Sequence, residues 1–158
     1  MHNRLAFFVT LLLNLMAINM TQAQTYGPNI NLEQAKAVLV AAEAEAVRQN
    51  WNMAVAVVDN AGNLVAFIKR DDTQNASVKI AQDKAASAAL FKRPTKAFQD
   101  ILAAGGLGLR ILSLSGAVAA EGGVPLVANG LIVGAIGVSG AMSDQDGIVA
   151  AAGAAALQ

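Results

Sequence analysis

Residues 122–140, GGVPLVANGLIVGAIGVSG, constrain the fold more than any other stretch. They carry six glycines and no charge, histidine or cysteine. Asn129-Gly130 sits between two apolar runs, and this dipeptide suits the left-handed positions of a two-residue hairpin turn. The pattern predicts strands over Val124–Ala128 and Leu131–Ser139. Pro125 fits only where the ladder does not need its missing N–H. Gly134, Gly137 and Gly140 allow this strand to pack closely against a helix or a neighbouring subunit, while Gly122 and Gly123 shape the entry to the hairpin. A segment without reactive groups is scaffold and pocket wall, so any chemistry must come from a bound ligand and polar residues elsewhere.

The other elements follow from local signals. Asn31 and Gln34 form a capping-box pattern, and Leu32, Ala35, Val38, Leu39, Ala42 and Ala46 recur at helical spacing to near Asn50. Residues 53–59 and 64–70 read as strands around the turn cluster Asn60–Asn63. Ser77 is expected to cap a helix over Val78–Phe91; the Asn75-Ala76-Ser77 triplet also matches a glycosylation sequon, a weak signal. Ala81, Ala85, Ala88 and Ala89 give this helix a small-residue face. Pro94 interrupts the helix, and Thr95 is placed to cap a short one from Lys96 to Ala104. Gly105–Gly108 reads as a loose turn, and LRILSLSGAVAA is ambiguous between strand and irregular chain. Ser143 and Asp146 form a second capping-like pair before an alanine-rich helix running to about Leu157. Two hairpins with helices between and around them define a single α+β domain with a mainly antiparallel sheet.

The first residues are not part of that domain. Arg4, an apolar run from Leu5 to about Ile18 and Thr21-Gln22-Ala23 make the three parts of a secretory signal peptide. The run is short for a membrane span and Asn14 interrupts it. Residues 1–23 are therefore expected to be removed. That leaves a domain over 24–158, exported to the periplasm or beyond, with no membrane anchor. Loss of Arg4 leaves one more acidic than basic residue, which argues against a nucleic-acid partner. The chain has no cysteine, and its one histidine is His2. The domain thus has no thiol or histidine catalysis, no histidine triad and no Cys- or His-ligated metal; no metal site is expected.

Four pieces carry a family resemblance: VVDNAGNLVAFIKRDD, SVKIAQDKAASAALFKRPT, GGVPLVANGLIVGAIGVSGAMSDQD and AAAGAAAL, together spanning about Asn31–Leu157. In these the sequence resembles the GlcG/HbpS-like proteins, the haem-degrading-domain family that includes the C-terminal domain of PduO-type proteins. The resemblance implies a profilin-like sheet flanked by helices and assembly into homo-oligomers, from dimer to octamer. It also implies haem as a cofactor in some members, with a secreted branch acting in haem or redox sensing. The small-residue faces of the second and last helices suit close contact between copies.

Candidate site residues centre on Phe91-Lys92-Arg93-Pro94-Thr95-Lys96, where three cations lie at a helix break beside aromatic residues. A flat anionic ligand needs apolar walls and cations for its carboxylates. Haem answers that description, and the secreted haem-binding members are similar here through Pro94-Thr95. Thr95 is the residue expected nearest the ligand centre, with a helix cap as its other role. Arg70 and Asp72 resemble the family's Arg-x-Asp pair, set either in a pocket or in a loop ion pair. Lys84 matches a Lys-Ala step in the second helix, to hold an anion or to extend past the small residues. The Gly123 backbone completes the binding set; Asp146 reads as a cap and Glu121 as the carboxylate nearest the hairpin. The ordinary axial ligands for haem iron come down to Met53, Met142 and Tyr26, so haem is expected to be held loosely, with a hydroxyl or water on the iron or with no strong axial bond. Three readings stay open. One is an exported small-ligand or haem-binding oligomer. Another is an enzyme or accessory of glycolate- or diol-type metabolism, with Lys84, Arg70 and carboxylates for proton transfer or anion stabilisation. The last is a purely structural assembly module.

Overall fold

Strand β1, Ala54–Val58, is apolar and buried at every position, which requires cover on both of its faces. A computed structural model describing residues 25–157 shows how this is met. The leader assigned to residues 1–23 lies outside the described residues. β1 pairs with β2, Leu64–Lys69, and with β4, Leu131–Ser139, which in turn pairs with β3, Gly123–Ala128. The order is β2-β1-β4-β3, all antiparallel. Both hairpins form as expected, and Asn129 and Gly130 both take positive φ, 51° and 76°. Pro125 lies on an edge strand, where one row of N–H groups has no ladder partner.

Helices cover the two faces unequally. On one side Ala54, Ala56, Val58 and Ala135 meet Ala81, Ala85, Ala88 and Ala89 of α2, Ser77–Phe91. At Gly137 a Cβ would run into Ala81 O and Ala85 N, so the helix lies directly on the strand backbone. On the other side Val55, Val57, Ile136 and Val138 meet Val38 and Ala42 of α1, Leu32–Arg48, and Val149 of α4, Ser143–Ala155. Burial of each of these larger side chains contributes about 1.5–3 kcal/mol. Gly153 brings α4 close to α1, with its would-be Cβ 3.0 Å from Ala42 Cβ. The small faces of α2 and α4 are thus used inside the molecule, and are not the surfaces that the sequence reading offered to another copy.

Helix starts divide into those read correctly and those not. The capping box of α1 forms, Asn31 Oδ1 accepting from Gln34 N and Gln34 Oε1 from Asn31 N. Ser77 does not cap α2: it is the first helical residue, fully buried, with its hydroxyl bonded to Ser139. Thr95 likewise opens α3, Thr95–Ala103, behind Pro94, and its hydroxyl serves a strand instead of its own helix. At α4 it is Gln145, not Asp146, that accepts from the cap residue's N–H, that of Met142. After α3 the chain forms a 3-10 segment, Gly106–Ser113, and continues without strand pairing to β3, which settles the ambiguous stretch as irregular.

Residues 25–30 do more than lead in to α1. β1 leaves β4 at the Val58–Ala135 pair. Beyond that point the incoming chain takes the vacant place: Ile132 N donates to Thr25 O, Gly27 N to Ile132 O and Ile30 N to Val133 O. Tyr26 and Ile132 form a parallel bridge.

Candidate functional site

The predicted residues fall into three places. The first is a buried knot where α2, α3, α4 and the start of β3 meet. Lys84 and Asp146 are both almost completely buried and pair at 2.7 Å. Asp146 also accepts from Ala141 N. Burial pushes the Asp146 carboxyl above its ordinary value, against the opposing pull of the Lys84 ammonium and of backbone N–H groups. Thr95, with no exposed surface, accepts from Gly123 N at 2.9 Å. Gly123 is hemmed in further: a Cβ there would strike Lys84 O and Thr95 Cγ2. Gly122, at φ 127°, lies under Lys84 Nζ and Asp146 Cβ. Glu121 donates its N–H to Gln99 Oε1, and its carboxylate packs against Gly147. Lys84, Thr95 and Gly123 thus meet, but as mutually satisfied groups, and the anion that Lys84 holds is Asp146.

The second place is the α2–α3 break. Lys92 ends α2 in the left-handed conformation, φ 54°. Its ammonium lies over the Tyr26 ring, 4.2 Å from the centroid. The Tyr26 hydroxyl donates to Ala89 O at 2.7 Å and to Leu90 O at 3.2 Å. The Arg93 guanidinium sits over Phe98, 5.6 Å from the centroid, and Phe91 meets Phe98 edge-on at 5.1 Å. Lys96 bonds Asp100, which holds its ammonium above the ordinary value. Phe91, Lys92 and Arg93 therefore gather around two aromatic rings, with both cations exposed.

Arg70 belongs to neither group. It lines a polar cavity of about 420 Å³ with Glu43, Asn52, Lys69, Asp71 and Asp72. Its Nε is buried without a hydrogen-bond partner. Arg70 and Asp72 share this cavity without forming an ion pair among the described residues. The described residues hold no cluster of three or more potential metal-ligating side chains. Sequence reasoning missed the Lys84–Asp146 pair and the contact of Tyr26 with α2. No local pattern marks either, because the partners lie far apart in the chain.

An antiparallel sheet clamped between α2 and the α1–α4 pair, with an ion pair locking α2 to α4 at one end, defines a single α+β domain with helices on both faces of the sheet. The chain belongs to the HbpS-like family, described as haem degrading protein HbpS-like, whose model matches residues 30–155. It is 38% identical over 110 residues to protein GlcG of Escherichia coli K12, covering 70% of this chain and 81% of that one. Among solved structures it is similar to an HbpS double mutant of Streptomyces reticuli, at 32% identity and TM-score 0.76, covering 87% of this chain and 92% of that one. It is also similar to PduOC in a complex with haem, at 25% identity and TM-score 0.73, covering 82% and 96%.

Proposed function

We propose that the protein is exported after cleavage behind Ala23, self-associates, and binds haem or a similar planar anion beside Phe91–Lys96. The observation that carries the binding site is the pair of exposed cations, Lys92 and Arg93, each laid over an aromatic ring at the α2–α3 break. Exposed cations suit carboxylates at the edge of a flat ligand, and Tyr26 and the half-buried Phe91 supply the apolar surface beside them, Phe98 being fully buried. The residues fit the organic periphery of haem; they place no free donor at its iron. Membership of the HbpS-like family and likeness to a haem-bound neighbour support the choice of ligand. Self-association is supported by Leu107, Leu109, Leu112 and Leu114, all exposed on and after the 3-10 segment.

Absorbance titration of haem into the purified protein and into a Lys92→Ala/Arg93→Ala/Lys96→Ala variant tests the site. A saturable spectrum is expected, with at least about tenfold weaker binding in the variant. Equal titration of both proteins, or no saturable spectrum, rejects it. A second reading, action on a small polar metabolite, is favoured by the Arg70 cavity and its unpartnered Nε. Mass spectrometry of what co-purifies with the native protein separates the two.

A further inference from the structure

We propose that the Phe91–Lys96 site recognises the carboxylate-bearing rim of a porphyrin and not its metal, so that metal-free porphyrin binds as well as haem does. This rests on the planar-anion reading and specifies what the site discriminates.

The inference follows from where every plausible iron donor has gone. Haem iron is held by His, Cys, Met or Tyr side chains. Residues 25–157 contain no histidine and no cysteine. Met53 is fully buried in the core between the sheet and α1. Tyr26 is the one aromatic hydroxyl beside the site, and it is committed as a donor to Ala89 O and Leu90 O. Ligation as a phenolate would break both bonds. It would also set an anion against the carbonyl end of α2, the negative pole of that helix. The Lys92 ammonium over the ring compensates only in part, since it faces the π surface and not the oxygen. Thr95 is inaccessible, its hydroxyl already accepting from Gly123 N. Met142 is exposed, but it lies before α4, outside the Phe91–Lys96 segment.

What remains free is peripheral: the Lys92 ammonium and the terminal nitrogens of Arg93, whose Nε donates to Phe91 O at 3.1 Å. Lys92 and Arg93 form no ion pair among the described residues. Each is pinned over a ring, which reduces the side-chain entropy lost when a carboxylate binds. Such a site reads charge and flatness, properties that a porphyrin keeps without its metal.

The test compares haem with metal-free protoporphyrin IX, titrated by absorbance and by quenching of Trp51. The protein carries His2→Ala, so that no histidine is present whether or not the leader is removed. Dissociation constants within about threefold of each other are expected. Tyr26→Phe and Met142→Leu should leave the haem spectrum unchanged, and the triple-alanine variant should weaken both ligands alike. Haem binding at least about tenfold tighter than the metal-free ring, with the difference lost in Tyr26→Phe or Met142→Leu, overturns the proposal while leaving the planar-anion site standing. Failure of both ligands to bind removes the site itself.

Discussion

The Lys84–Asp146 pair is where a single side chain matters most. Each charge has lost its water, and each is tolerated because the other is 2.7 Å away. Lys84→Ala should cost about 3–5 kcal/mol, because it leaves a buried carboxylate alone, whereas Lys84→Met combined with Asp146→Leu should recover most of that loss. Denaturant unfolding of the three proteins checks both statements. Thr95→Val keeps shape but removes the acceptor of Gly123 N; a cost of about 1–3 kcal/mol is expected in the same assay. Asp59 supplies the pH dependence. Burial raises its carboxyl, but the N–H groups of Asn63, Ala61 and Gly62 outweigh that and hold it below the ordinary value. A depressed carboxyl contributes stability that is full above its unfolded pKa and is lost as pH falls through its folded one. Asp59→Asn should therefore melt lower than wild type at neutral pH, and the two curves should converge in acid. These residue roles were only partly legible beforehand. A serine or threonine at a helix start looks like a cap from sequence, but Ser77 and Thr95 bond across the molecule to Ser139 and Gly123. Local spacing holds no record of partners that the fold brings in.

At the scale of elements, the strongest constraint is the seating of α2 on β4. Gly137→Ala should destabilise by more than about 3 kcal/mol, since the new methyl meets Ala81 and Ala85 backbone with nothing to yield. Gly105→Ala is the contrast: no atom lies within 4 Å of the new Cβ, but φ 67° with ψ −159° is a conformation that essentially only glycine adopts, so about 1–3 kcal/mol of pure backbone strain is expected. Thermal melts of the pair separate crowding from conformation. The hairpins were legible because Asn129-Gly130 and Asn60–Asn63 fix their turns locally. The unequal helix layers were legible in part, since Ala81, Ala85, Ala88 and Ala89 announce a close approach and Gly137 answers it. The β1–β4 pairing was not, because two buried apolar strands pair equally well in several orders.

For the whole molecule, the proposed assembly surface is the run of exposed leucines on and after the 3-10 segment. Leu107 is 85% exposed and Leu112 is 74% exposed. Light scattering should show a dimer or larger, and Leu107→Lys/Leu112→Lys should shift it toward monomer without lowering the melting temperature of the isolated fold. A monomeric wild type removes the assembly proposal. Intact mass of protein recovered from outside the cytoplasm should begin at Gln24; a chain still carrying residues 1–23 there contradicts the cleavage proposal. The chain segment at Thr25–Ile30 also bears on synthesis. It hydrogen-bonds to β4, as β1 does, yet β4 is made more than a hundred residues after it. A nascent chain that has emerged only as far as β3 has a first strand with one neighbour, and an N-terminal segment tied to α2 and the first hairpin turn but with no strand partner. Its sheet closes only when the last hairpin arrives, so the sequence keeps itself unfinished during translation. For the export proposed above, an unfinished chain is the form that a threading channel would accept.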